Sequence, residues 1–169
     1  MIGEWLKPNW EPGLSLPNIP LDYLIAKGIK GLILDVDGTL LHREENKLHQ
    51  SVVEWTQEAK ELLSLHLVSN HPSKKRIGSI ANELGVDYKF RAGKPRRKYM
   101  KVALDNFNMK SNEIAILGDR IFTDVLVGNR LGMFTVLVKP IDINGDNTFK
   151  NTLQRTEKFL ANVFLSNKL

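Results

Sequence analysis

The most informative stretch of the chain is Gly31-Leu32-Ile33-Leu34-Asp35-Val36-Asp37-Gly38-Thr39-Leu40, in which an apolar run ends in two carboxylates spaced two residues apart. Residues i and i+2 of an extended chain project to the same side, so Asp35 and Asp37 should meet above the strand end. Carboxylates this close repel unless a cation or a shared proton compensates, which favours Mg²⁺. Gly38 permits a sharp turn, and Thr39 adds a hydroxyl donor. The alternative is an ordinary surface turn, in which Asp and Gly are common.

Size and composition favour one compact domain. The chain has 169 residues, 42% of them hydrophobic, which is enough for one core and short for two. Four prolines preclude a regular helix over residues 1–20, so we predict an irregular N-terminal arm there and a single domain over residues 21–169. The chain has no cysteine, which excludes disulfides, thiolate zinc sites and cysteine nucleophiles.

Charge and hydropathy bear on partners and location. The net charge of +5 and the pI near 9.4 favour anionic partners such as phosphorylated metabolites, acidic membranes or nucleic acids. No apolar run has the length of a membrane-spanning helix, and residues 1–10 lack the basic-then-apolar layout of a secretory signal. We therefore expect a cytoplasmic protein.

Strand and helix patterns alternate along the chain. Apolar runs predict further strands at 65–68, 88–90, 114–117 and 133–138. The sequence predicts a helix between each pair of strands. The first runs from a capping box at Ser51 to about residue 64, and the second runs from Ser73 to Gly85. The third covers 96–107 with Pro95 in its first turn, and the fourth ends near Leu131. This βα alternation favours a parallel sheet covered by helices on both faces. Ligands bind such sheets at the carboxyl ends of the strands.

The end of the chain predicts a loop followed by a closing helix. The segment 141–147 has loop composition. After it, side chains at helical spacing predict a closing helix with one mostly apolar face, formed by Phe149, Leu153, Thr156, Leu160 and Phe164.

Every cluster of chemically active side chains follows a predicted strand. In chain order the clusters are Asp35 to Thr39, Ser69-Asn70, Lys94, and Asp119 with Asp124. They resemble the four motifs of the haloacid dehalogenase (HAD) superfamily: Asp-x-Asp-x-Thr, Ser or Thr, Lys, and Gly-Asp-x-x-x-x-Asp. The resemblance covers residues 31–140. It implies a three-layer α/β/α Rossmannoid parallel sheet and a phosphatase that works through an aspartyl-phosphate.

The resemblance assigns a role to each residue of the first motif, and the chemistry of phosphoryl transfer accounts for the residue types. Asp35 would attack phosphorus, since a carboxylate is already ionised at neutral pH. Asp37 would protonate the leaving alkoxide and then take a proton from the hydrolytic water. Thr39 would orient the nucleophile.

The remaining motifs would supply positive charge and hydrogen-bond donors. Mg²⁺ would be held by Asp35, the Asp37 backbone carbonyl and Asp119, with Asp124 supporting the shell. The expected phosphate-binding residues are Ser69, Asn70 and Lys94. The four histidines have no ligand spacing, so we assign neither metal binding nor catalysis to His42, His49, His66 or His71.

The short spacing between motifs indicates that no cap domain is inserted. Only residues 40–68 separate the first two motifs, and residues 70–93 separate the second from the third. An open site suits a phosphate carried on a large molecule. The chain resembles the capless YqeG-type branch, which includes mitochondrial and plastid phosphatidylglycerophosphate phosphatases. This likeness lies in Gly118-Asp119-Arg120-Ile121-Phe122-Thr123-Asp124-Val125 and in Asn129-Arg130-Leu131-Gly132. It implies phosphatidylglycerophosphate as the substrate.

Two sequence features support a lipid substrate at an anionic membrane. A basic run flanks the motifs and consists of Lys74, Lys75, Arg76, Lys89, Arg91, Lys94, Arg96, Arg97, Lys98 and Lys101. Each cation near an anionic bilayer surface contributes on the order of 1 kcal/mol to binding. Trp5 and Trp10 are candidate interfacial anchors. The alternative for the basic run is a solvated helix face, and the alternative for the two tryptophans is packing on the core. We expect peripheral attachment at the inner face of a membrane and no nucleic acid partner. The alternative functions are a phosphatase for a polynucleotide, phosphoprotein or small phosphate ester, and a non-catalytic phosphate-binding scaffold.

Overall fold

The fold is built on a five-stranded, all-parallel sheet in the order β3-β2-β1-β4-β5. The computed structural model describes residues 2–141 and 148–166. The strands are β1 (Gly31–Leu34), β2 (Ser64–Val68), β3 (Asp87–Lys89), β4 (Ile114–Gly118) and β5 (Phe134–Leu137). The helices are α1 (Ile2–Trp5), α2 (Leu21–Ala26), α3 (Gln50–Leu62), α4 (Lys74–Leu84), α5 (Arg97–Phe107), α6 (Leu126–Arg130) and α7 (Thr148–Ser166).

The register of the sheet brings the three central strands to one edge together. Leu34, the last residue of β1, lies opposite Leu67 of β2 and Leu117 of β4. The residues that follow each of these strands therefore emerge at the same level. The all-parallel sheet predicted from the βα alternation is confirmed.

Helices cover both faces of the sheet. Leu32 and Leu34 of β1 belong to a core that includes α2, α3 and α4. Ile33 points the other way and packs in a second core with α5 and α6. This alternation along one fully buried strand gives the predicted three layers. Among the described residues, the intervals between β1 and β2 and between β2 and β3 hold one helix each and no cap domain.

Two predicted helix starts are wrong. Helix α3 begins at Gln50, and its cap is His49, whose Nδ1 accepts the Ser51 backbone N–H at 3.3 Å, so Ser51 lies inside the helix. Pro95 lies outside the first turn of α5, which begins at Arg97. Arg96, the residue between Pro95 and the helix, has an extended backbone with φ −66° and ψ 135°, so the first turn begins after it.

The N-terminal arm packs along the sheet edge. Apart from α1 and a 3₁₀ turn at Leu16–Asn18, it is irregular, as the prolines predict. The Trp10 N–H bonds to the Thr135 carbonyl, and the Leu137 N–H bonds to the Trp10 carbonyl, so the arm pairs beside β5.

The predicted closing helix exists, and the described part of its mostly apolar face is exposed. Leu153, Leu160 and Phe164 are exposed by 41%, 43% and 50%, whereas the buried side chains are Gln154, Glu157 and Ala161. The helix turns its polar residues inward because they hydrogen bond near the end of β4, where Gln154 donates to the Asp119 carbonyl at 2.8 Å. The side chain of Phe149 and residues 142–147 of the loop predicted at 141–147 lie outside the described residues. Within residues 2–141 and 148–166, no helix has the length and apolar character needed to cross a bilayer.

Candidate active site

The predicted catalytic residues converge at the carboxyl edge of the sheet. Asp35 directly follows β1, and its backbone N–H bonds to the Leu117 carbonyl at 3.0 Å. Asp119 follows β4, and Asp124 lies in the π-helical turn Ile121–Val125 that leads into α6. Lys94 reaches in from the loop after β3. The structure thus brings Asp35, Lys94, Asp119 and Asp124 into one buried cluster.

Lys94 is the centre of this cluster. Its Nζ lies 2.6 Å from Asp35 Oδ1, 2.6 Å from Asp124 Oδ1 and 2.8 Å from the Val68 carbonyl, and the residue is only 6% exposed. Asn70 fixes its backbone, since the amide donates to the Lys94 carbonyl and accepts the Lys94 N–H. The Asn70 side chain, predicted to bind phosphate, is therefore engaged in positioning the lysine.

The three carboxylates Asp35, Asp119 and Asp124 fit a hard metal ion. One oxygen from each lies within 4.8 Å of the others, and Asp119 Oδ1 is buried without a hydrogen-bond partner in the described part of the chain. A Mg²⁺ ion takes oxygen ligands of this kind. The Asp37 carboxylate lies outside this trio, and the metal contact expected of its backbone carbonyl stays a prediction.

Two glycines allow the carboxylates to approach. Gly38 has φ +92°, and a Cβ there would lie 2.4 Å from Asp119 Oδ2. A Cβ at Gly118 would lie 2.4 Å from Asp124 Cγ. Any side chain at either position would displace a carboxylate from the trio.

The cluster has more buried negative charge than its single ammonium group balances. Burial raises the pKa of Asp35 from 3.8 to about 7, with Lys94 acting in the opposite direction and the charge of Asp124 adding to the rise. Burial, with the nearby charges of Asp35 and Asp124, also raises the pKa of Asp119 well above its ordinary value. Burial alone would lower the pKa of Lys94, but the charges of Asp124 and Asp35 together raise it. A divalent cation would offset this surplus.

Asp37 lies apart from the trio and is held by Arg76, a site residue that the sequence did not reveal. Arg76 Nη1 donates to Asp37 Oδ1 at 2.8 Å, and Nη2 donates to the Arg43 and Glu45 carbonyls at 3.3 and 2.9 Å. The sequence placed Arg76 in a surface basic run. Its position in the first turn of the helix that Ser73 caps was the one available signal.

Ser69 and Thr39 are both buried, with different surroundings. The Ser69 hydroxyl donates to Asp37 Oδ2 at 3.4 Å and accepts the His71 N–H at 3.0 Å. The Thr39 hydroxyl has no hydrogen-bond partner among the described residues. The expectation that Thr39 orients Asp35 is therefore not supported by a bond between them.

A cavity of about 270 Å³ opens above the cluster. Its walls include predicted and unpredicted residues, namely Asp35, Asp37, Arg43, Asn70, His71, Pro72, Lys94, Arg120 and Thr123. His71 lines this cavity, although neither metal binding nor catalysis was assigned to it from the sequence. Arg120 is bonded to Glu157 of α7 through Nε at 2.9 Å and Nη2 at 2.5 Å, so α7 is fastened beside the cavity.

Comparison with known proteins gives sequence relatives of one kind. A family model described as mitochondrial PGP phosphatase matches residues 12–142. The chain is 33% identical over 125 residues to the probable phosphatase YqeG of Bacillus subtilis, covering 73% of this chain and 72% of that protein. It is 29% identical over 160 residues to the chloroplastic phosphatidylglycerophosphate phosphatase 1 of Chlamydomonas reinhardtii, covering 88% of this chain but 60% of that protein.

Solved structures with low sequence identity share the fold. The HAD phosphatase from Thermococcus onnurineus matches with a TM-score of 0.57 and 14% identity, over 76% of this chain and 97% of that one. The putative HAD subfamily III A hydrolase from Legionella pneumophila matches with a TM-score of 0.51 and 16% identity, over 86% and 93% of the two chains. At this identity the likeness concerns the fold alone.

Proposed function

This chain belongs to the family described as mitochondrial PGP phosphatase, within the HAD superfamily, and is a phosphoric monoester hydrolase; we propose that it dephosphorylates phosphatidylglycerophosphate through an aspartyl-phosphate, with Mg²⁺ as cofactor. The observation that carries the proposed chemistry is the Lys94 ammonium, held 2.6 Å from Asp35 inside the carboxylate cluster. A buried carboxylate beside a fixed cation, at the floor of an open cavity, suits attack on a dianionic phosphate.

The proposed reaction has two steps. In the first, an Asp35 oxygen bonds to phosphorus, the bond to the ester oxygen breaks, and the Asp37 carboxyl gives its proton to the departing alkoxide. In the second, Asp37 takes a proton from water, whose oxygen bonds to phosphorus while the bond to Asp35 breaks. Lys94 stays protonated and offsets the charge gathered around Asp35. Asp35, Asp119 and Asp124 would hold Mg²⁺, which would supply further positive charge against the phosphoryl oxygens.

The lipid substrate is proposed from the relatives and from the surface around the cavity. Exposed cations lie close in the chain to His71, Pro72 and Lys94, which line the cavity, namely Lys74, Lys75, Arg91, Arg96, Arg97 and Lys98. Arg76 and Lys94, which the sequence also placed in this basic run, are engaged inside the site. The remaining cations would attract an anionic bilayer, and we propose a cytoplasmic enzyme attached peripherally to it.

The two candidate tryptophan anchors differ in the structure. Trp10 stacks on Tyr23 with ring centroids 4.1 Å apart and packs against the core, which fits the packing alternative. Trp5 is 42% exposed and stays a candidate for contact with headgroups.

The test is phosphate release from phosphatidylglycerophosphate in anionic vesicles with Mg²⁺. We expect turnover by the wild type, loss of turnover in Asp35→Asn, and wild-type turnover in Asp105→Asn, a matched change at an exposed aspartate of α5. Equal inertness of the wild type and Asp35→Asn toward every phosphate ester tried would favour the scaffold alternative. Inhibition of turnover by DNA but not by substrate-free anionic vesicles would favour a polynucleotide substrate.

A further inference from the structure

A second groove adjoins the catalytic cavity and has no role in the chemistry described above. Its volume is about 430 Å³, and it shares Asp37, Arg43 and Arg120 with that cavity. One wall is the loop at residues 42–44, and the other is α7, which contributes Leu153, Gln154 and Glu157. A substrate whose phosphoryl group rests on Asp35 would have room to extend its leaving group into this groove.

Most charged groups along the groove are already paired. Glu157 is bonded to Arg120, Asp37 is bonded to Arg76, and Asp119 belongs to the carboxylate trio. Glu157 also accepts the Ile121 N–H at 2.9 Å, which leaves it little capacity for a ligand.

Arg43 is the exception among the cations. Its guanidinium makes no hydrogen bond or ion pair with the described residues, although it lines both the catalytic cavity and the groove. Glu44, the next residue, is the acidic lining group left without an ion pair in the described part of the chain. The groove therefore presents one unpaired cation, with one acidic neighbour that works against anion binding.

The backbone that carries Arg43 is held in place. Arg76 Nη2 bonds to the Arg43 carbonyl at 3.3 Å and to the Glu45 carbonyl at 2.9 Å, and the His42 N–H bonds to Glu45 Oε2 at 3.2 Å. Arg76 itself is nearly buried and paired with Asp37. The same arginine thus anchors the proposed acid group and the loop, so the starting point of the Arg43 side chain is fixed relative to the reaction centre.

We propose that Arg43 and this groove form a subsite for a second anionic group of the substrate, a phosphodiester joined to the reacting phosphomonoester by a short polyol. The proposal rests on the proposed function, because phosphatidylglycerophosphate carries these two groups on one glycerol. A guanidinium binds a phosphodiester through paired N–H donors, which an ammonium cannot reproduce. The exposed Leu153 lies on the opposite wall and suits the less polar remainder of the molecule.

The test compares two soluble substrates with the Mg²⁺-loaded enzyme. One is short-chain phosphatidylglycerophosphate below its micellar concentration, which has the diester, and the other is glycerol 3-phosphate, which lacks it. The measured quantity is the ratio of kcat/KM for the first substrate to that for the second. We expect Arg43→Gln to lower this ratio roughly 10-fold or more, mainly through KM, and Arg43→Lys to restore part of it. Removal of the opposing charge in Glu44→Gln should raise the ratio.

Arg155→Gln, a change at an exposed arginine of α7 outside the groove, is the matched control and should keep the wild-type ratio. An unchanged ratio in Arg43→Gln overturns the subsite, whether both substrates are equally slowed or neither is. The proposed function fails by a different result, in which the wild type hydrolyses glycerol 3-phosphate but leaves the lipid untouched.

Discussion

Replacing Asp35, the proposed nucleophile, should raise the free energy of unfolding of the metal-free protein. Asp35 is almost fully buried, and its pKa rises from 3.8 to about 7. A carboxyl whose folded-state pKa is raised stabilises the fold at low pH, and that contribution is lost as the pH rises from about 4 to about 7. At pH 8 the ionised Asp35 therefore costs about 4 kcal/mol, taking 1.36 kcal/mol for each pKa unit. Asparagine has nearly the same shape and no charge.

We expect Asp35→Asn to raise the free energy of unfolding at pH 8 by about 2 kcal/mol, half of that limit, since Lys94 loses a charged partner. The gain should shrink as the pH falls toward 5. Urea denaturation in EDTA measures it, with the exposed change Asp105→Asn as a control that should show no pH-dependent gain. Added Mg²⁺ should reduce this difference in the free energy of unfolding, because the wild type has three carboxylates to bind the ion and Asp35→Asn has two. This prediction is wrong if Asp35→Asn is less stable than the wild type at pH 8, or if the gain in the free energy of unfolding is independent of pH.

Three further predictions follow from the site geometry. Gly38 has φ +92°, and in Gly38→Ala the new Cβ would lie 2.4 Å from Asp119 Oδ2. Calorimetry should therefore show that the affinity for Mg²⁺ falls roughly 10-fold or more. An affinity equal to that of the wild type would contradict this prediction. Arg76→Gln removes the bond that holds Asp37, so it should lower kcat/KM for an alkyl phosphate more than for p-nitrophenyl phosphate, whose leaving group needs no proton. Equal losses of kcat/KM for the two substrates would show that Arg76 has a merely structural role. Because burial raises the pKa values of Asp35 and Asp119, Mg²⁺ must displace protons from them at pH 6. The increase in Tm that Mg²⁺ causes should therefore be larger at pH 8 than at pH 6. Equal increases at the two pH values in scanning calorimetry would count against Mg²⁺ binding by these carboxylates.

The fold could be predicted because its signals are local. Apolar runs marked all five strands, and the cap at Ser73 and the stop at Gly85 lie where the sequence placed them. The convergence of Asp35, Lys94 and Asp119 could be predicted because residues that follow parallel strands emerge at one edge of the sheet.

The misses have a common physical cause. The periodicity of α7 does not say which face packs on the sheet, because the contacts that decide its orientation are tertiary: Gln154 bonds to the Asp119 carbonyl, and Glu157 bonds to Arg120. Arg76 likewise resembles any exposed helical arginine until Asp37 is placed beside it. No local pattern encodes a hydrogen bond between residues more than 30 positions apart in the chain.

The most direct test of the central claim is to trap the covalent intermediate on Asp35. Asp37→Asn enzyme, which should hydrolyse the intermediate slowly, is mixed with Mg²⁺ and p-nitrophenyl phosphate, whose leaving group needs no proton from Asp37. The mixture is quenched in acid and reduced with borohydride, which converts an aspartyl-phosphate to homoserine. Peptide mass spectrometry is predicted to find homoserine at position 35 and to find none in enzyme quenched without substrate. Turnover with an unmodified Asp35, or with the label on another residue, would contradict the account.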